Sequence, residues 1–475
     1  MATPIPSNRC AFTFAEIANA VGASLPKADR TSTSSVSIDS RSAGAGVLFV
    51  ALRAVRDGHD FLEGAAKAGA GAAIVERGRS FPGLPCFEVD DTLVALGHLA
   101  RAHLQRMRRS QMMPTIAVGG AAGKTTTKEL TAAILRALCG ETLATIGNLN
   151  NLIGVPMTIF TLEEQHRAAV IECGTNQRGE IERLAAIVRP DSAVVLNVDI
   201  EHTEGLGSLE GVADEEAQLF VTARCAVVST EEDLLLERIP ADKPRLTFGT
   251  ATSADIRIAN RTIIGTGQQR VTLDLNPRLV ESPSESKFAF ELNLLGETAA
   301  NNTGAALAAV AAAIARPLRH DELRAIASSL REVRAVDGRL QLRDCGGIIV
   351  IDDTYNSNPR SLRAALATAR QTADGLKSRL ILAIGDMLEL GDLAAEMHRE
   401  AISDIAAVNP DATILVGHEM SSAAKTTGTN PLTTASTSND AARLVVESVR
   451  PGDVLLVKGS RGIAMERIIA ALPQA

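Results

Sequence analysis

The chain has 475 residues and a formal net charge of −8, and hydrophobic residues make up 45% of it. This length predicts two to four domains, and the apolar content is sufficient for several buried cores. The acidic balance argues against a nucleic-acid partner, while six scattered cysteines without a Cys-x-x-Cys pair argue against a zinc site and favour a cytoplasmic protein.

The most continuous apolar stretch, Ala305 to Ala315, is too short to span a bilayer. It predicts a packed helix, and we expect no stable insertion into a membrane. Residues 1–9 are polar and contain two prolines, which is not the pattern of a signal peptide.

Residues 1–112 are predicted to form a small N-terminal α/β domain. Apolar runs indicate strands at Val47–Leu52 and Ala72–Val75, with a helix at Phe61–Ala68 between them. A longer helix at Leu93–Met107 precedes a short polar segment that is typical of a linker.

Residues 113–334 begin with a strand at Thr115–Val118, a glycine-rich turn and a helix at Thr126–Leu138. This order predicts a central P-loop ATPase-like domain with a mostly parallel sheet. The elements that follow are a strand at Ala168–Glu172, a helix at Gly179–Val188, a strand at Ala193–Asn197, an antiparallel edge within 256–294 and a helix at Thr303–Ile314.

Residues 335–475 are predicted to form a C-terminal, Rossmann-like α/β domain. Four short buried strands are expected at Gly347–Ile351, Leu380–Ile384, Thr413–Val416 and Val454–Val457. A cleft between two such sheets is a common place for a nucleotide.

The glycine-rich turn is the first candidate site. It runs through Gly119, Gly120, Ala121, Ala122, Gly123, Lys124 and Thr125, between a predicted strand and a predicted helix. Backbone N–H groups of such a loop bind phosphate oxygens, the lysine meets the β and γ phosphates, and the threonine hydroxyl is a ligand for Mg²⁺. The alternative is an ordinary glycine-rich turn with a surface lysine, since Val118 stands where the usual spacing has glycine.

Polar residues follow other predicted strands. Glu172 ends a strand beside the loop, where a carboxylate is well placed to bind magnesium. His202 follows the next strand, where it could be a metal ligand or an ordinary surface histidine. In the third region, Asp352–Pro359 and Lys458–Arg461 each follow a strand, and either could be a substrate-binding segment or an ordinary loop.

These segments, in this order, resemble the Mur ligases, and within them the members that add D-alanyl-D-alanine. The likeness runs from about Ser37 to Glu466. The motifs that carry it are Ile38–Arg41, Leu48–Leu52, Asp57–Phe61, the phosphate loop, Gly147–Asn151, Gly154–Pro156, Tyr355–Pro359 and Gly385–Gly391.

The resemblance implies an ATP- and Mg²⁺-dependent amide ligase of peptidoglycan precursor synthesis. Its substrates would be UDP-N-acetylmuramoyl tripeptide and D-alanyl-D-alanine, joined through an acyl phosphate, and we expect a monomer. Two alternatives stay open: another Mur-type amino-acid ligase, or a catalytically weakened homologue that binds UDP-muramoyl peptides.

The resemblance also assigns roles to residues. The catalytic residues would be Lys124, Glu216 and Arg339. The loop residues 119–125 would bind ATP together with Asn302, Arg339 and Asp353. The magnesium ligands would be Thr125, Glu172, His202 and Glu216. The contacts to the muramoyl peptide and the dipeptide would come from Ser40, Arg41, Asn148, Asn151, Tyr355, Asn358 and Arg461.

The sequence departs from the family pattern in four places. The loop begins Gly-Gly-Ala instead of Thr-Gly-Ser, so Gly119 has no hydroxyl. Thr298 and Ala299 replace a His-Asn pair near the expected adenine contacts, and the loop from Leu52 to Asp57 is about one residue short. Glu216 stands where the family has a carbamylated lysine; its alternative role is a solvated acidic residue at the start of a helix.

Overall fold

The structure is a computed structural model that describes residues 3–200, 203–427 and 432–473. Within these ranges the strands form a two-stranded, a four-stranded, a nine-stranded and a six-stranded sheet, in three α/β regions along the chain. The predicted fold class is therefore confirmed. No helix in the described ranges is long and apolar enough to cross a membrane.

In the N-terminal region helices cover both faces of a parallel sheet. Its elements are β1 (Phe12–Thr13), α1 (Phe14–Val21), β2 (Ser32–Thr33), β3 (Ser35–Ser37), β4 (Val47–Val50), α2 (Leu62–Lys67), β5 (Ala72–Glu76), β6 (Cys86–Val89) and α3 (Thr92–Ser110). Helices α1 and α3 lie on one face and α2 on the other. Side chains of β4 alternate between two cores: Leu48 and Val50 pack with α3, and Phe49 packs with α2. Asp91 caps the start of α3, because its Oδ1 accepts the N–H groups of Leu93 and Val94 in the first turn.

The central region is built on a nine-stranded sheet in the order β15-β14-β13-β12-β11-β10-β7-β9-β8. Its strands are β7 (Thr115–Gly119), β8 (Thr142–Ala144), β9 (Ala168–Glu172), β10 (Ser192–Val195), β11 (Cys225–Ser229), β12 (Arg245–Gly249), β13 (Ile256–Gly265), β14 (Gln268–Leu275) and β15 (Lys287–Leu292). The strands from β8 to β13 are parallel, and β13, β14 and β15 form the predicted antiparallel edge. Because β7 lies between β9 and β10, the carboxyl ends of these three strands meet at one edge.

Helices cover both faces of this sheet. They are α4 (Lys124–Cys139), α5 (Gly154–Ile159), α6 (Glu180–Val188), α7 (Thr203–Leu206), α8 (Leu209–Glu216), α9 (Gln218–Thr222), α10 (Asp233–Leu236), α11 (Gly296–Ile314) and α12 (His320–Glu332). The predicted apolar helix is α11, but it begins at Gly296 instead of Thr303. Gln269 Nε2 donates to the carbonyl oxygens of Leu294 and Gly296, so a contact distant in sequence fixes this start.

The C-terminal region carries a six-stranded sheet in the order β16-β17-β21-β18-β19-β20. Its strands are β16 (Gln341–Cys345), β17 (Ile348–Asp353), β18 (Leu380–Gly385), β19 (Ala412–Val416), β20 (Thr433–Ala435) and β21 (Val454–Lys458), and its helices are α13 (Pro359–Leu376), α14 (Ala394–Ala407), α15 (His418–Thr427), α16 (Ser438–Ser448) and α17 (Glu466–Ala470). The four predicted strands are present. The edge strands β16 and β20 were not predicted, because both are short and partly exposed and lack an apolar run.

Candidate active site

The loop between β7 and α4 turns sharply and is held by one asparagine. Gly120 and Gly123 have φ angles of +111° and +90°, which favour glycine. Asn197, just beyond β10, binds the residues between them: its backbone oxygen accepts the Ala121 N–H at 2.9 Å, and its Oδ1 accepts the Ala122 N–H at 2.8 Å. The loop is therefore preformed by its neighbour in the sheet.

Lys124 is the first residue of α4. Its Nζ donates to the carbonyl oxygens of Gly120 and Ala121, which hold the ammonium group beside the loop. This is the amino end of a helix, where backbone N–H groups and the helix dipole favour an anion. Thr125 follows in the first turn and is 4% exposed. The strand, glycine-rich loop and helix start that the sequence predicts are thus present, with the Lys124 ammonium group beside the loop.

Glu172 ends β9 and is buried beside the loop. Asn150 Nδ2 donates to its Oε1 at 2.9 Å, whereas its Oε2 is buried without a hydrogen-bond partner among the described residues. An unpaired buried carboxylate oxygen is unfavourable unless a cation or donor reaches it. The side chain of Glu172 is therefore suited to hold a magnesium ion. Its negative charge also acts on the next residue: burial raises the pKa of the Cys173 thiol, and the charges of Glu216 and Glu172 raise it further.

Glu215 and Glu216 end helix α8, so the alternative that they form a solvated helix start is wrong. They are 5% and 2% exposed, because α8 packs against the neighbouring helices α6, α7, α9 and α10 over the central core. Glu216 Oε2 accepts the Gly120 N–H of the phosphate loop at 2.8 Å. Glu215 instead accepts the N–H groups of Gly179 and Ile181, at the start of α6. The two neighbouring glutamates thus have different partners.

The remaining predicted magnesium ligand, His202, lies outside the described residues. Among the residues that the structure describes, no cluster of three or more His, Cys, Asp and Glu side chains could hold a metal ion. The donors present near the loop are the Glu172 carboxylate and the Glu216 carboxylate, with Thr125 in the first turn of α4. Oxygen donors of this kind fit Mg²⁺, which also takes ligands from phosphates and water.

The C-terminal region supplies the opposite wall of the site. Asp353 and Lys458 end the adjacent strands β17 and β21. The Lys458 ammonium, which is 1% exposed, lies 2.6 Å from Asp353 Oδ2 and donates to the Asn356 carbonyl at 2.9 Å. The Leu340 N–H donates to Asp353 Oδ1 at 3.1 Å. Lys458 was part of a predicted segment but had no assigned role.

Tyr355, the single tyrosine of the chain, lies between two arginines. The Arg339 guanidinium is 4.1 Å from the centre of its ring, and that of Arg461 is 5.9 Å away. Asn358 begins α13 by accepting the Ser361 N–H at 2.8 Å. The predicted segments around residues 339, 355 and 461 are therefore brought together.

One cavity of about 330 Å³ lies between the central and C-terminal walls. The predicted residues that line it are Ala121, Ala122, Gly123, Lys124, Glu172, Asn302, Arg339, Asp353, Tyr355 and Asn358. Asn302 closes against the loop, since a Cβ at Gly123 would come within 2.8 Å of its Oδ1. Thr298 and Ala299 also line the cavity, so the altered positions on α11 do face the expected nucleotide site.

The structure places the other predicted substrate contacts outside this cavity. Ser40 and Arg41 lie in a turn after β3, where the exposed Arg41 pairs with Asp39 at 2.7 Å. That guanidinium lowers the pKa of the Asp39 carboxyl. Asn148 is exposed and hydrogen-bonded to Thr3.

Asn150, which was not predicted, is the asparagine of this segment that lines the cavity. Asn151 is exposed, and its Oδ1 accepts the Gly154 N–H at 2.8 Å at the start of α5. Asn197 was missed as well, although its position after β10 was a usable signal. Spacing within a loop does not reveal which asparagine faces inward, because a loop has no side-chain period.

Comparison with known proteins agrees with this geometry. Residues 118–310 match the Mur ligase middle domain, and residues 338–461 match the Mur ligase glutamate ligase domain. The UDP-N-acetylmuramoyl-tripeptide–D-alanyl-D-alanine ligase of Escherichia coli is 32% identical over 97% of this chain and 98% of its own, and that of Bacillus subtilis is 31% identical over 94% of each.

Solved structures give the same result. A crystal structure of MurF from Acinetobacter baumannii is 28% identical and superimposes with a TM-score of 0.84 over 98% of this chain and 99% of that chain. MurF ligase from Thermotoga maritima, solved in complex with ADP, is 25% identical with a TM-score of 0.78, over 92% of this chain and 96% of that one. The chain belongs to the Mur ligase family.

Proposed function

We propose that this chain is the ATP- and Mg²⁺-dependent ligase that joins D-alanyl-D-alanine to UDP-N-acetylmuramoyl tripeptide in peptidoglycan precursor synthesis. Relatives of that name match it over nearly their full length. The observation that carries the proposal is the cavity itself, in which the phosphate loop of the central region faces Arg339, Asp353 and Lys458 of the C-terminal region.

The reaction proceeds in two transfers. The terminal carboxylate of the tripeptide attacks the γ-phosphorus of ATP, which forms an acyl phosphate and releases ADP. The dipeptide amine then attacks the acyl carbon, an amide forms, the amine loses a proton and inorganic phosphate leaves. Most of the catalytic work is positioning and charge stabilisation, because the chain need not form a covalent intermediate of its own.

Residues of the central wall act on the triphosphate. The loop amides and the Lys124 ammonium stabilise negative charge on the phosphates. Glu172 and Glu216, with Thr125 and His202 as the resemblance implies, would hold magnesium, which neutralises phosphate charge when bound. The unpaired Oε2 of Glu172 supports this role.

Residues of the C-terminal wall act on the rest of the nucleotide and on the dipeptide. We assign Asp353 to the ribose and Arg339 to the nucleotide, and Arg461, Tyr355 and Asn358 to the dipeptide side. Asn302, against the loop, contributes to ATP binding. The acyl phosphate needs protection from water, and a site enclosed by two walls of the same chain supplies it.

We assign the N-terminal region, residues 1–112, to the UDP moiety, with Ser40 and Arg41 as its contacts. The central region, residues 113–334, binds ATP and contributes Asn148 and Asn151 to the muramoyl peptide. The C-terminal region, residues 335–475, completes the ligase site. We place the protein in the cytoplasm as a monomer. The free state of all six cysteines and a cavity completed within one chain support this assignment.

The test is phosphate release by purified protein supplied with ATP, Mg²⁺ and UDP-muramoyl tripeptide. Release is expected only when D-alanyl-D-alanine is added, with a pentapeptide product of matching mass confirming the amide bond. Single amino acids in place of the dipeptide are the control. Release with a single amino acid and a shorter UDP-muramoyl acceptor, but not with the tripeptide and the dipeptide, would identify another Mur-type ligase. Binding of UDP-muramoyl peptides without release under any of these conditions would identify a catalytically weakened homologue.

A further inference from the structure

Gly119 differs from the other glycines of the phosphate loop. Gly120 and Gly123 have positive φ angles, whereas Gly119, at the end of β7, does not. Its backbone conformation is therefore accessible to any residue. What excludes a side chain is space: a Cβ at position 119 would lie 2.8 Å from Glu216 Oε2 and 3.0 Å from Leu219 Cδ2.

The carboxylate of Glu216 occupies that space and is fixed there. Oε2, the same atom that a Cβ at 119 would meet, accepts the Gly120 N–H at 2.8 Å. Glu216 is 2% exposed, so water has no access to the Gly120 N–H. Moving the carboxylate away therefore costs the free energy of a charge-assisted hydrogen bond. A side chain at position 119 thus requires either the loss of the Glu216–Gly120 bond or a smaller residue at 216, together with a small shift of the Leu219 side chain.

The bond matters because of its place in the loop. Gly120 is followed by Ala121 and Ala122, whose N–H groups are both bound by Asn197. Glu216 therefore holds the first turn of the loop from one side while Asn197 holds the next two residues from the other. Positions 119 and 216 are also two of the places where the sequence departs from the family pattern, and the structure brings them into contact.

We propose that Gly119 and Glu216 are a matched pair that sets the shape of the phosphate loop. The carboxylate fills the space that a side chain at 119 would take and pins the Gly120 amide, and glycine at 119 makes room for it. Glu216 is on this view a positioning residue for the loop, independent of any role toward magnesium. The inference rests on the proposed function only in assigning nucleotide binding to this loop.

The test is a double-mutant cycle read out by ADP binding in EDTA, measured by calorimetry, so that neither magnesium nor ligation enters the result. Gly119→Ala and Glu216→Ala are each expected to weaken ADP binding about tenfold, the size expected for one charge-assisted hydrogen bond. The double variant is expected to show the same tenfold loss instead of a hundredfold loss, because the methyl group added at position 119 and the removal of the carboxylate abolish the same contact.

A second cycle separates size from charge. Glutamine at 216 fills the same space as glutamate, so Gly119→Ala is expected to weaken ADP binding in a Glu216→Gln background as well, and to have no further effect in a Glu216→Ala background. Gly64→Ala on α2 is the control, since a Cβ there meets nothing within 4 Å and its φ is not positive. Its ADP affinity is expected to equal that of the wild type.

Three outcomes would overturn the pairing: normal ADP affinity in Gly119→Ala, additive losses in the first cycle, or equal effects of Gly119→Ala in the alanine and glutamine backgrounds. If Gly119→Ala unfolds, the melting temperature gives the same comparison, and failure of Glu216→Ala to restore it counts against the proposal. If the wild-type protein binds ADP but does not ligate the proposed substrates, the proposed function is wrong. The double-mutant cycle can still be measured in that case, because it depends only on ADP binding.

Discussion

The guanidinium of Arg360, at the start of α13, lies 2.6 Å from the carboxylate of Glu232, which precedes α10 in the central region. The backbone N–H of the same arginine donates to Asp199 Oδ2 at 2.9 Å. Burial raises the pKa of the Glu232 carboxyl, and the positive charge of Arg360 opposes that effect. The two walls of the cavity are thus joined by a charged contact, and Arg360 itself lines the cavity.

Arg360→Ala is expected to lower kcat/KM for ATP at least tenfold, because it leaves Glu232 buried without its cationic partner and loosens the two walls. Steady-state kinetics with varied ATP measure this. The double variant Arg360→Ala/Glu232→Gln is expected to recover part of the loss, since the unpaired charge is then removed. Arg363→Ala, one turn along the same helix and about half exposed, is the control and should stay near wild type.

Lys124→Ala is expected to abolish ligation with little change in melting temperature. In the proposed role the lysine acts through its charge on the phosphates, and its contacts with the loop are replaceable, since they are to carbonyl oxygens that water can also bind. Turnover at saturating ATP and thermal unfolding of the same preparation give the two measurements. Unchanged turnover would remove the phosphate-loop assignment.

The sequence predicted the part of this site that depends on local pattern. A strand, a glycine-rich loop and a helix are consecutive, so the loop through Lys124 was visible, and the parallel sheet then brought Glu172 to the same edge. Contacts between distant residues could not be read in this way. The Glu216–Gly120 bond spans 96 residues and depends on where the packing of α8 against its neighbouring helices places the end of that helix.

The start of a helix and the direction of a side chain in a loop could not be predicted from the sequence either. Helix α11 begins at a glycine because a glutamine side chain from β14 binds the carbonyl groups of Leu294 and of Gly296 itself, and no local rule anticipates that contact. In the segment Asn148 to Asn151, all three asparagines were equivalent in pattern, whereas the fold turns only Asn150 toward the cavity.

Arg461→Ala is expected to lower turnover at least tenfold, through loss of one charge-assisted contact with the dipeptide or the transferred phosphoryl group. The chain has no tryptophan and one tyrosine, so intrinsic emission reports on Tyr355, beside this arginine. A change in that emission on adding dipeptide to wild type, but not to the variant, would locate the defect. Normal kinetics for both ATP and dipeptide would show that the role is wrong.

Protein stability is expected to fall between pH 6.5 and pH 4 through His103 on α3. Its Nε2 donates to the Leu162 carbonyl at 3.1 Å, and burial, with a smaller effect of the Arg106 charge, lowers its pKa to about 4. The unfolded chain takes up a proton below about pH 6.5 and the folded chain does so only near pH 4, so acid favours unfolding over this interval.

Melting temperatures at pH 7.5 and pH 4.5 test the histidine. His103→Gln keeps a donor for Leu162 but cannot be protonated, so it is expected to lose less stability on acidification than wild type. His98→Gln, on an exposed face of the same helix, should behave as wild type does. An equal loss in His103→Gln and wild type would show that this histidine does not carry the effect.

Glu216 supplies a carboxylate beside the phosphate loop. The resemblance places the family's carbamylated lysine at this position, and a glutamate supplies a carboxylate there without carbon dioxide. We expect ligation to be the same in carbon dioxide-depleted buffer and in bicarbonate. Glu216→Gln is expected to lose most of the activity, because the substitution removes the carboxylate that we assign to magnesium while the side chain keeps its size.

The choice of control follows from the packing of α8. Glu215 is unsuitable, since its carboxylate holds the start of α6 and its replacement would disturb the fold. Asp214, more than half exposed and paired with Arg238, offers a charge change of the same kind, and Asp214→Asn should keep wild-type turnover. Full activity of Glu216→Gln, or inactivation of the wild type when carbon dioxide is removed, would mean that this carboxylate does not take the place of the carbamate.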